Sequence, residues 1–195
     1  MERNEAKALM EQTIPNKNLQ KHMLAAEACM RELATHFNED ADQWGLAGLL
    51  HDLDYDQTVN DFPNHGKVTA QMLEGKGISD EVIHAIQAHP FGSKGADGGL
   101  RAGPGQTEPE SKMDFALYAA DSLTGLIVAA ALMHPSKKLA NVDVPFIMKR
   151  YKEKRFAAGA NREQIQTCDR LGLSLEDFVG KCLKAMQGIS GDLGL

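Results

Sequence analysis

A histidine and an aspartate, His51 and Asp52, stand side by side at the end of an apolar run from Leu46 to Leu50. Other histidines lie before and after this pair, and a further aspartate follows, each in a segment with helical patterning. Imidazole nitrogens suit zinc, iron, nickel and manganese, and carboxylates add hard oxygen ligands. Mixed sites with open positions are typical of catalytic metals, whereas structural zinc sites prefer cysteine. The sequence therefore offers six candidate metal ligands: His22, His51, Asp52, His65, His89 and Asp121.

Each of these residues also has a simpler interpretation. A lone histidine on an apolar helix face is more often a core residue, which applies to His22 and His89 taken singly. Asp121 differs because it lies in the apolar segment Leu117–Leu123, and a buried, unpaired carboxylate is costly. Either a cation meets it or it lies at the surface. His51 and Asp52 point about 100° apart on a helix, and at a helix end both can reach one ion, or Asp52 can bridge two.

Helices must position these side chains. A run of apolar residues spaced by three and four predicts one helix face that His22 shares: Leu19, Met23, Ala26, Met30 and Leu33. A second helix is expected from about Glu39 to Leu53, with small residues, Ala47 and Gly48, that let another helix or a metal centre approach. Pro63 predicts the start of a third helix carrying His65, which Gly75 and Gly77 end.

The remaining helices have recognisable start signals. Ser79 is a good N-cap for the helix that carries His89, and Pro90 stops that helix. Ser111 and Asp114 form a capping-box pattern at the start of a long helix that contains Asp121. Asp143 and Ser174 mark two further starts, the second again with capping-box spacing. No strand-like alternation of useful length occurs, so the sequence predicts an all-α protein.

Composition narrows the classes of protein. The chain has 195 residues, 43% of them hydrophobic and 25% charged, with a net charge of −6, which suits a single soluble domain. The acidic balance argues against binding polymeric nucleic acid but not against a small phosphorylated substrate. The charged start, Met1 to Lys7, has no apolar signal core, and the longest apolar stretch, Leu126 to Met133, is too short for a membrane span. We therefore expect a cytoplasmic protein that does not bind membranes.

Three other features leave alternatives open. The three cysteines, Cys29, Cys168 and Cys182, have no CxxC spacing and are expected to be reduced core residues. The glycine-rich segment 91–110 is expected to be a disordered surface insertion, with an active-site lid as the alternative. The methionine-rich C-terminal helix suits either the core or a homo-oligomer interface. Three basic residues are candidate phosphate-binding groups: Lys67, Lys94 and Arg101.

The order of these motifs resembles that of the HD-domain metal-dependent phosphohydrolases. The segment Ala47–Tyr55 is similar to the family's core motif, and Asn64-His65-Gly66, Ala85–His89 and Ala119–Asp121 are similar to the segments that supply further ligands in its binuclear, HDIG-type members. The resemblance covers roughly residues 18 to 130. It implies an HD-domain-like helical bundle in one domain, residues 1–195, with a helical extension over about 141–190.

Some family features are missing. The lysine that follows the HD motif in members that degrade cyclic dinucleotides is replaced by Asp54, Tyr55 and Asp56, and no GYP sequence occurs. His89 lacks the second histidine of a frequent HH pair, since Ala88 and Pro90 flank it. These differences argue against cyclic di-GMP as the substrate.

The resemblance implies a mechanism as well as a fold. The first metal would be held by His22, His51, Asp52 and Asp121, and the second by His65 and His89, with Asp52 bridging. A mononuclear version, with His65 and His89 contacting phosphate, is the alternative. Asp52 and His51 are then the catalytic residues, and a metal-activated water cleaves a phosphoester of a nucleotide or similar small substrate.

The identity of the metal and the reaction class stay open at this stage. The expected cofactor is one or two divalent ions of Fe, Mn, Zn, Ni or Co. Two other functional classes fit the same residues. One is a metal- or nucleotide-binding module without catalysis, and the other is a di-iron oxygenase of the HD fold.

Overall fold

The computed structural model describes residues 1–92 and 105–195. Within these ranges the chain forms α-helices and short 3-10 helices and no strand, which confirms the all-α prediction. The α-helices are α1 (Arg3–Thr13), α2 (Lys17–Phe37), α3 (Ala41–Leu50), α4 (Tyr55–Thr58), α5 (Lys67–Leu73), α6 (Asp80–Ala88), α7 (Lys112–Met133), α8 (Val144–Lys152), α9 (Arg162–Gln166), α10 (Leu175–Gly188) and α11 (Ser190–Leu193). The 3-10 helices are Phe62–Asn64, Leu139–Asn141 and Thr167–Leu171.

Helices α2, α3 and α7 form the centre of the fold. The predicted apolar face of α2 is buried from Met23 to Leu33, and every residue of α3 from Trp44 to Leu50 is buried. The helices α2 and α3 pack closely because Gly48 has no side chain. A Cβ at Gly48 would lie 2.7 Å from backbone atoms of Ala26 and Glu27. This close approach brings His22 of α2 next to the end of α3.

Helix α7 is the longest and lies in the core. Its N-terminus has the predicted capping box, in which Ser111 accepts from the backbone N–H of Asp114 and Asp114 accepts from that of Ser111. Among the described residues, α7 alone is long and apolar enough to cross a membrane by length and composition, and 61% of its apolar window is buried inside the structure. Burial in a protein core accounts for that composition.

Two predicted helix boundaries were wrong near the HD pair. The helix expected from Glu39 to Leu53 begins at Ala41, where Asp40 caps it, and ends at Leu50, so His51 and Asp52 lie in the turn that follows. The helix expected from Pro63 is interrupted. Pro63 starts only the short 3-10 helix Phe62–Asn64, and α5 begins after Gly66, whose φ of +79° breaks the helical path.

The remaining start signals behave largely as expected. Ser79 accepts from the N–H of Val82, and Asp143 accepts from the N–H of Phe146. The Ser174 hydroxyl accepts from the backbone N–H of Asp177. The Asp177 carboxylate accepts from the Ser174 hydroxyl and not from the backbone N–H of Ser174, so this is a simple cap and not a capping box. The C-terminal helices close the fold, with α10 packed on α2 and α9 on α7.

Candidate metal centre

The six predicted ligands converge from separate parts of the chain. His22 lies in α2, His51 and Asp52 follow α3, His89 ends α6, and Asp121 lies in the middle of α7. His65 joins them from the break between the 3-10 helix Phe62–Asn64 and α5. The Nε2 atoms of His22 and His51 are 3.2 Å apart, and those of His65 and His89 are 3.1 Å apart.

Asp52 lies between the two histidine pairs. Its Oδ2 is 3.5 Å from the Nε2 atoms of both His22 and His51. Its Oδ1 is 3.2 Å from the Nε2 of His65 and 3.4 Å from that of His89. Each oxygen of one carboxylate therefore faces a different pair of imidazoles.

The centre divides into two groups of ligands that share Asp52. We name as the His22 subsite the set His22, His51, Asp52 and Asp121, in which Asp121 Oδ1 lies 3.1 Å from His22 Nε2. We name as the His65 subsite the set Asp52, His65 and His89. The ligand atoms of His22, His51 and Asp52 all lie within 4.8 Å of one another, as do those of Asp52, His65 and His89.

Hydrogen bonds at the far nitrogen orient each imidazole. His51 Nδ1 lies 2.9 Å from the carbonyl oxygen of Gly48, and His89 Nδ1 lies 2.6 Å from that of Ile86. Because a carbonyl only accepts, both Nδ1 atoms carry the proton and donate. His22 Nδ1 donates in the same way to the hydroxyl of Thr124, whose own proton goes to the carbonyl of Asp121. In its neutral form each of these three rings thus presents a Nε2 lone pair to the centre.

Asp54 orients His65, the remaining histidine of the centre. Its carboxylate is fully buried, and Oδ1 accepts from His65 Nδ1 at 2.7 Å. Oδ2 accepts from the backbone N–H groups of Gly66 and Thr69, both at 2.9 Å. Burial would raise the pKa of Asp54, but His65 and these N–H donors hold it below its ordinary value. A carboxylate that fixes a metal-binding imidazole is a recurrent outer-shell arrangement.

Gly66 is required where it stands. Its φ is +79°, and a Cβ would lie 2.6 Å from the carbonyl oxygen of Ile86. A side chain would therefore push α5 away from α6, which carries His89. The backbone N–H of Gly66 is also one of the donors to Asp54, so this glycine holds both histidines of the His65 subsite.

Electrostatics in the metal-free centre favour protons on two of the rings. Burial lowers the pKa of His51, but Asp52 and Asp121 outweigh this effect and raise it to about 9. Burial likewise opposes the effect of Asp52 and Asp54 on His65, whose pKa also rises to about 9. The pKa of His89 is lowered, chiefly by burial. Despite the cost of burial, interaction with the histidines holds the pKa of Asp52 well below its ordinary value.

The donor set fits divalent transition metals. Four imidazole nitrogens and two carboxylates point into a common space, and without a cation only protons keep these groups from repelling one another. Metal ions would replace those protons and accept the Nε2 lone pairs. Imidazole and carboxylate together suit Fe, Mn, Zn, Ni or Co rather than a thiolate-selective ion. The ligand roles of the six residues remain a prediction that the geometry supports.

The centre opens into a cleft of about 540 Å³. Ligands from both subsites line it, and residues from outside the HD pair complete the walls: Leu19, Tyr55, Phe62, Pro90, Phe91, Gly92, Ser122, Gly159, Asn161 and Gln164. Lys67, a predicted phosphate-binding residue, is not among the described residues that line the cleft. Lys94 and Arg101, the other two, lie outside the described residues, as does most of the segment expected to be an insertion or lid.

The sequence did not predict a site role for four residues: Asp54, Ser122, Asn161 and Gln164. The sequence predicts no role for Asp54 beyond the replacement of the lysine of other HD proteins, although a second acidic residue two positions after Asp52 is a usable signal. Ser122 gave a weaker signal, as a polar neighbour of Asp121. Asn161 and Gln164 come from the C-terminal extension, and nothing in their local pattern connects them to the centre.

Comparison with known proteins places the chain in a family. The sequence model of the HD domain matches residues 19–126, which is more than half of the chain. The structure of the HD domain of the L. monocytogenes phosphodiesterase PgpH is similar, with a TM-score of 0.53 at 15% sequence identity. The alignment covers 94% of this chain and 98% of that one. No curated protein gives a significant match. The protein belongs to the HD-domain family and has its helical fold.

Proposed function

We propose that this protein is a metal-dependent phosphohydrolase with a binuclear centre. The observation that carries the proposal is the position of Asp52, whose two oxygens face separate histidine pairs at 3.2–3.5 Å. A carboxylate placed in this way suits a bridge between two ions. The mononuclear alternative would leave the paired Nε2 atoms of His65 and His89 without a cation.

The chemistry follows from what such ions supply: they lower the pKa of a bound water towards neutrality and neutralise charge on a transferring phosphoryl group. The protein fixes the charge of the centre. Two divalent ions would carry four positive charges, whereas the carboxylates of Asp52, Asp121 and Asp54 contribute three negative charges and neutral imidazoles none. The loaded centre would then be positive overall and would attract a phosphate anion despite the net charge of −6 on the chain.

The cleft suits a small ester rather than a polymer. Its volume of about 540 Å³ lies within the range of sites that bind ligands of nucleotide size. The substrate we propose is a nucleotide or similar small phosphorylated compound. The structural neighbour is named as a phosphodiesterase, which agrees with the proposed reaction class. The support is general, since at 15% identity the likeness shows the fold alone.

A phosphoester screen with defined metal content tests the proposal. The protein is stripped with a chelator, reloaded separately with Mn, Fe, Zn, Ni or Co, and assayed on monoesters and diesters. We expect turnover with at least one metal and none without metal. Equal turnover by metal-free protein would contradict the proposal. Retained metal with no turnover of any ester would favour the binding module, and a coloured iron form that consumes oxygen would favour the oxygenase.

A further inference from the structure

Two large aromatic side chains of the cleft are partly exposed instead of packing into the core. Tyr55 and Phe62 line the cleft and are 38% and 39% exposed. Their ring centroids lie 5.9 Å and 5.2 Å from that of His65. Large apolar side chains that are exposed together at a cleft are typical of a binding surface.

The backbone holds these rings close to the metal centre. Tyr55 begins α4 directly after Asp54, the residue that orients His65. Phe62 begins the 3-10 helix that Pro63 stiffens, and its carbonyl accepts from the N–H of His65 at 3.1 Å. The segment that supplies the rings therefore also supplies His65, so the rings are held at a set distance from the His65 subsite.

Neutral polar side chains line the cleft as well. The hydroxyl of Ser122 donates to the side-chain carbonyl of Gln164 at 2.8 Å. The amide of Gln164 in turn donates to the backbone carbonyl of His89 at 3.4 Å. A ligand whose phosphate reaches the metal centre would thus meet aromatic rings and uncharged polar side chains with the rest of its structure.

We propose that Tyr55 and Phe62 bind the organic group of the ester by stacking, and so select phosphoesters whose alcohol carries a planar ring. This inference rests on the proposed function. Stacking of a base on one aromatic side chain changes affinity by roughly five- to a hundredfold in single-strand binding proteins. For two partly exposed rings we expect about a tenfold preference for a ligand with a planar ring.

Equilibrium binding to matched ligands tests the proposal. The probes are the methylene phosphonate analogues of adenosine 5′-phosphate and of methyl β-ribofuranoside 5-phosphate, which share the locked ribose ring and the phosphonate, differ at C1′ in a planar base or a methoxy group, and resist hydrolysis. Calorimetry with metal-loaded protein should give an affinity ratio of about ten in favour of the adenosine analogue. In Phe62→Ala the ratio should fall towards one, and in Phe62→Tyr it should persist.

Val59→Ala is the matched control, because Val59 is an exposed apolar residue on the same segment that does not line the cleft. It should keep the wild-type ratio, and metal content equal to wild type shows that each variant is folded. Equal affinity for the two analogues in the wild type would overturn the inference, as would an unchanged ratio in Tyr55→Ala/Phe62→Ala. Because the assay needs no turnover, an absence of hydrolysis would refute the proposed function while the ratio still decides this inference.

Discussion

The two subsites that share Asp52 are built in different ways. In the His22 subsite, His22 and Asp121 come from α2 and α7, the longest helices, and their side chains are 24% and 25% exposed. In the His65 subsite, His65 and His89 are buried and lie at the ends of short elements. Helix packing positions the first pair, whereas one buried carboxylate, Asp54, and one close approach, at Gly66, position the second.

This difference has a consequence for stability and function. Long packed helices tolerate the loss of one hydrogen bond, since many other contacts hold them. A short segment held by a few bonds to one side chain does not. We therefore expect the His65 subsite to be the more easily lost of the two, and substitutions should separate them.

The largest effect is expected at the residue that both subsites share. Asp52→Asn replaces a carboxylate oxygen by an amide nitrogen that does not bind metals, and it removes a charge from both subsites. Activity should fall by more than about a hundredfold, since even outer-shell partners of metal ligands are worth 10- to 100-fold. Steady-state assays with saturating metal provide the measurement. Asp56→Asn, which removes the same charge from an exposed position four residues on, should behave like the wild type, and equal losses in both variants would be inconsistent with a bridging role.

Asp54→Asn should damage the His65 subsite alone. An asparagine directs its NH₂ group either at the Nδ1–H of His65 or at the N–H groups of Gly66 and Thr69, so two donors face each other. Affinity for the second ion should fall by about 10- to 100-fold. The measurement is a metal titration monitored by calorimetry.

The complementary variant is Asp121→Asn, which should weaken binding in the His22 subsite and spare the His65 subsite. Loss of the same ion in Asp54→Asn and in Asp121→Asn would contradict the division of the centre into two subsites.

Gly66→Ala should lower both the stability of the fold and the affinity for the second ion. The positive φ is strained for alanine by about 1–3 kcal/mol, and the new Cβ also clashes with the carbonyl of Ile86. Gly75→Ala is a matched control, because Gly75 has a φ of +70° but no atom within 4 Å of a Cβ. Thermal unfolding should show a larger loss for Gly66→Ala, and only this variant should bind the second ion more weakly. Similar losses in both would mean that backbone strain, and not contact between α5 and α6, is what matters.

The last prediction concerns pH. In metal-free protein the pKa values of His51 and His65 are raised to about 9, above the ordinary value near 6.5. The stability that these protonated rings contribute is complete below pH 6.5 and is lost as the pH rises to 9. Denaturant unfolding of chelator-treated protein should therefore show a declining midpoint over this window. Protein saturated with manganese should decline less, because the ions hold the Nε2 atoms, and identical slopes would contradict the proton-for-metal exchange.

Much of the fold was predictable because helix signals are local. Side-chain caps at Ser79, Ser111 and Asp143 and the apolar stripe of α2 depend on neighbours within a few residues, and all appear in the structure. The break at Gly66 was not predictable in this way. Pro63 and the apolar spacing favour a continuous helix, whereas the close approach of Gly66 to the carbonyl of Ile86, twenty residues further along the chain, is a tertiary feature that local spacing does not show.

The candidate site likewise contains residues that local patterns predict and residues whose roles depend on tertiary contacts. All six proposed ligands came from motif order and helix spacing, and the structure brings them together. Asp54 acts through hydrogen bonds to residues 11 to 15 positions away, and Gln164 contacts the carbonyl of His89 across 75 positions. Such roles depend on tertiary packing, which a local pattern does not encode. Lys67 shows that a local pattern can also suggest a role without the matching position: this basic residue follows a ligand motif but is not among the described residues that line the cleft.

The most direct test of the two-subsite account is the metal content of the protein purified without an affinity tag. Elemental mass spectrometry, after loading with manganese, iron, zinc, nickel or cobalt and removal of free metal, gives the number of ions per chain. Two ions per wild-type chain, falling to one in Asp54→Asn, is the predicted result. A wild-type chain that never holds more than one ion with any of these metals would contradict the bridging role of Asp52 and leave His65 and His89 as substrate contacts.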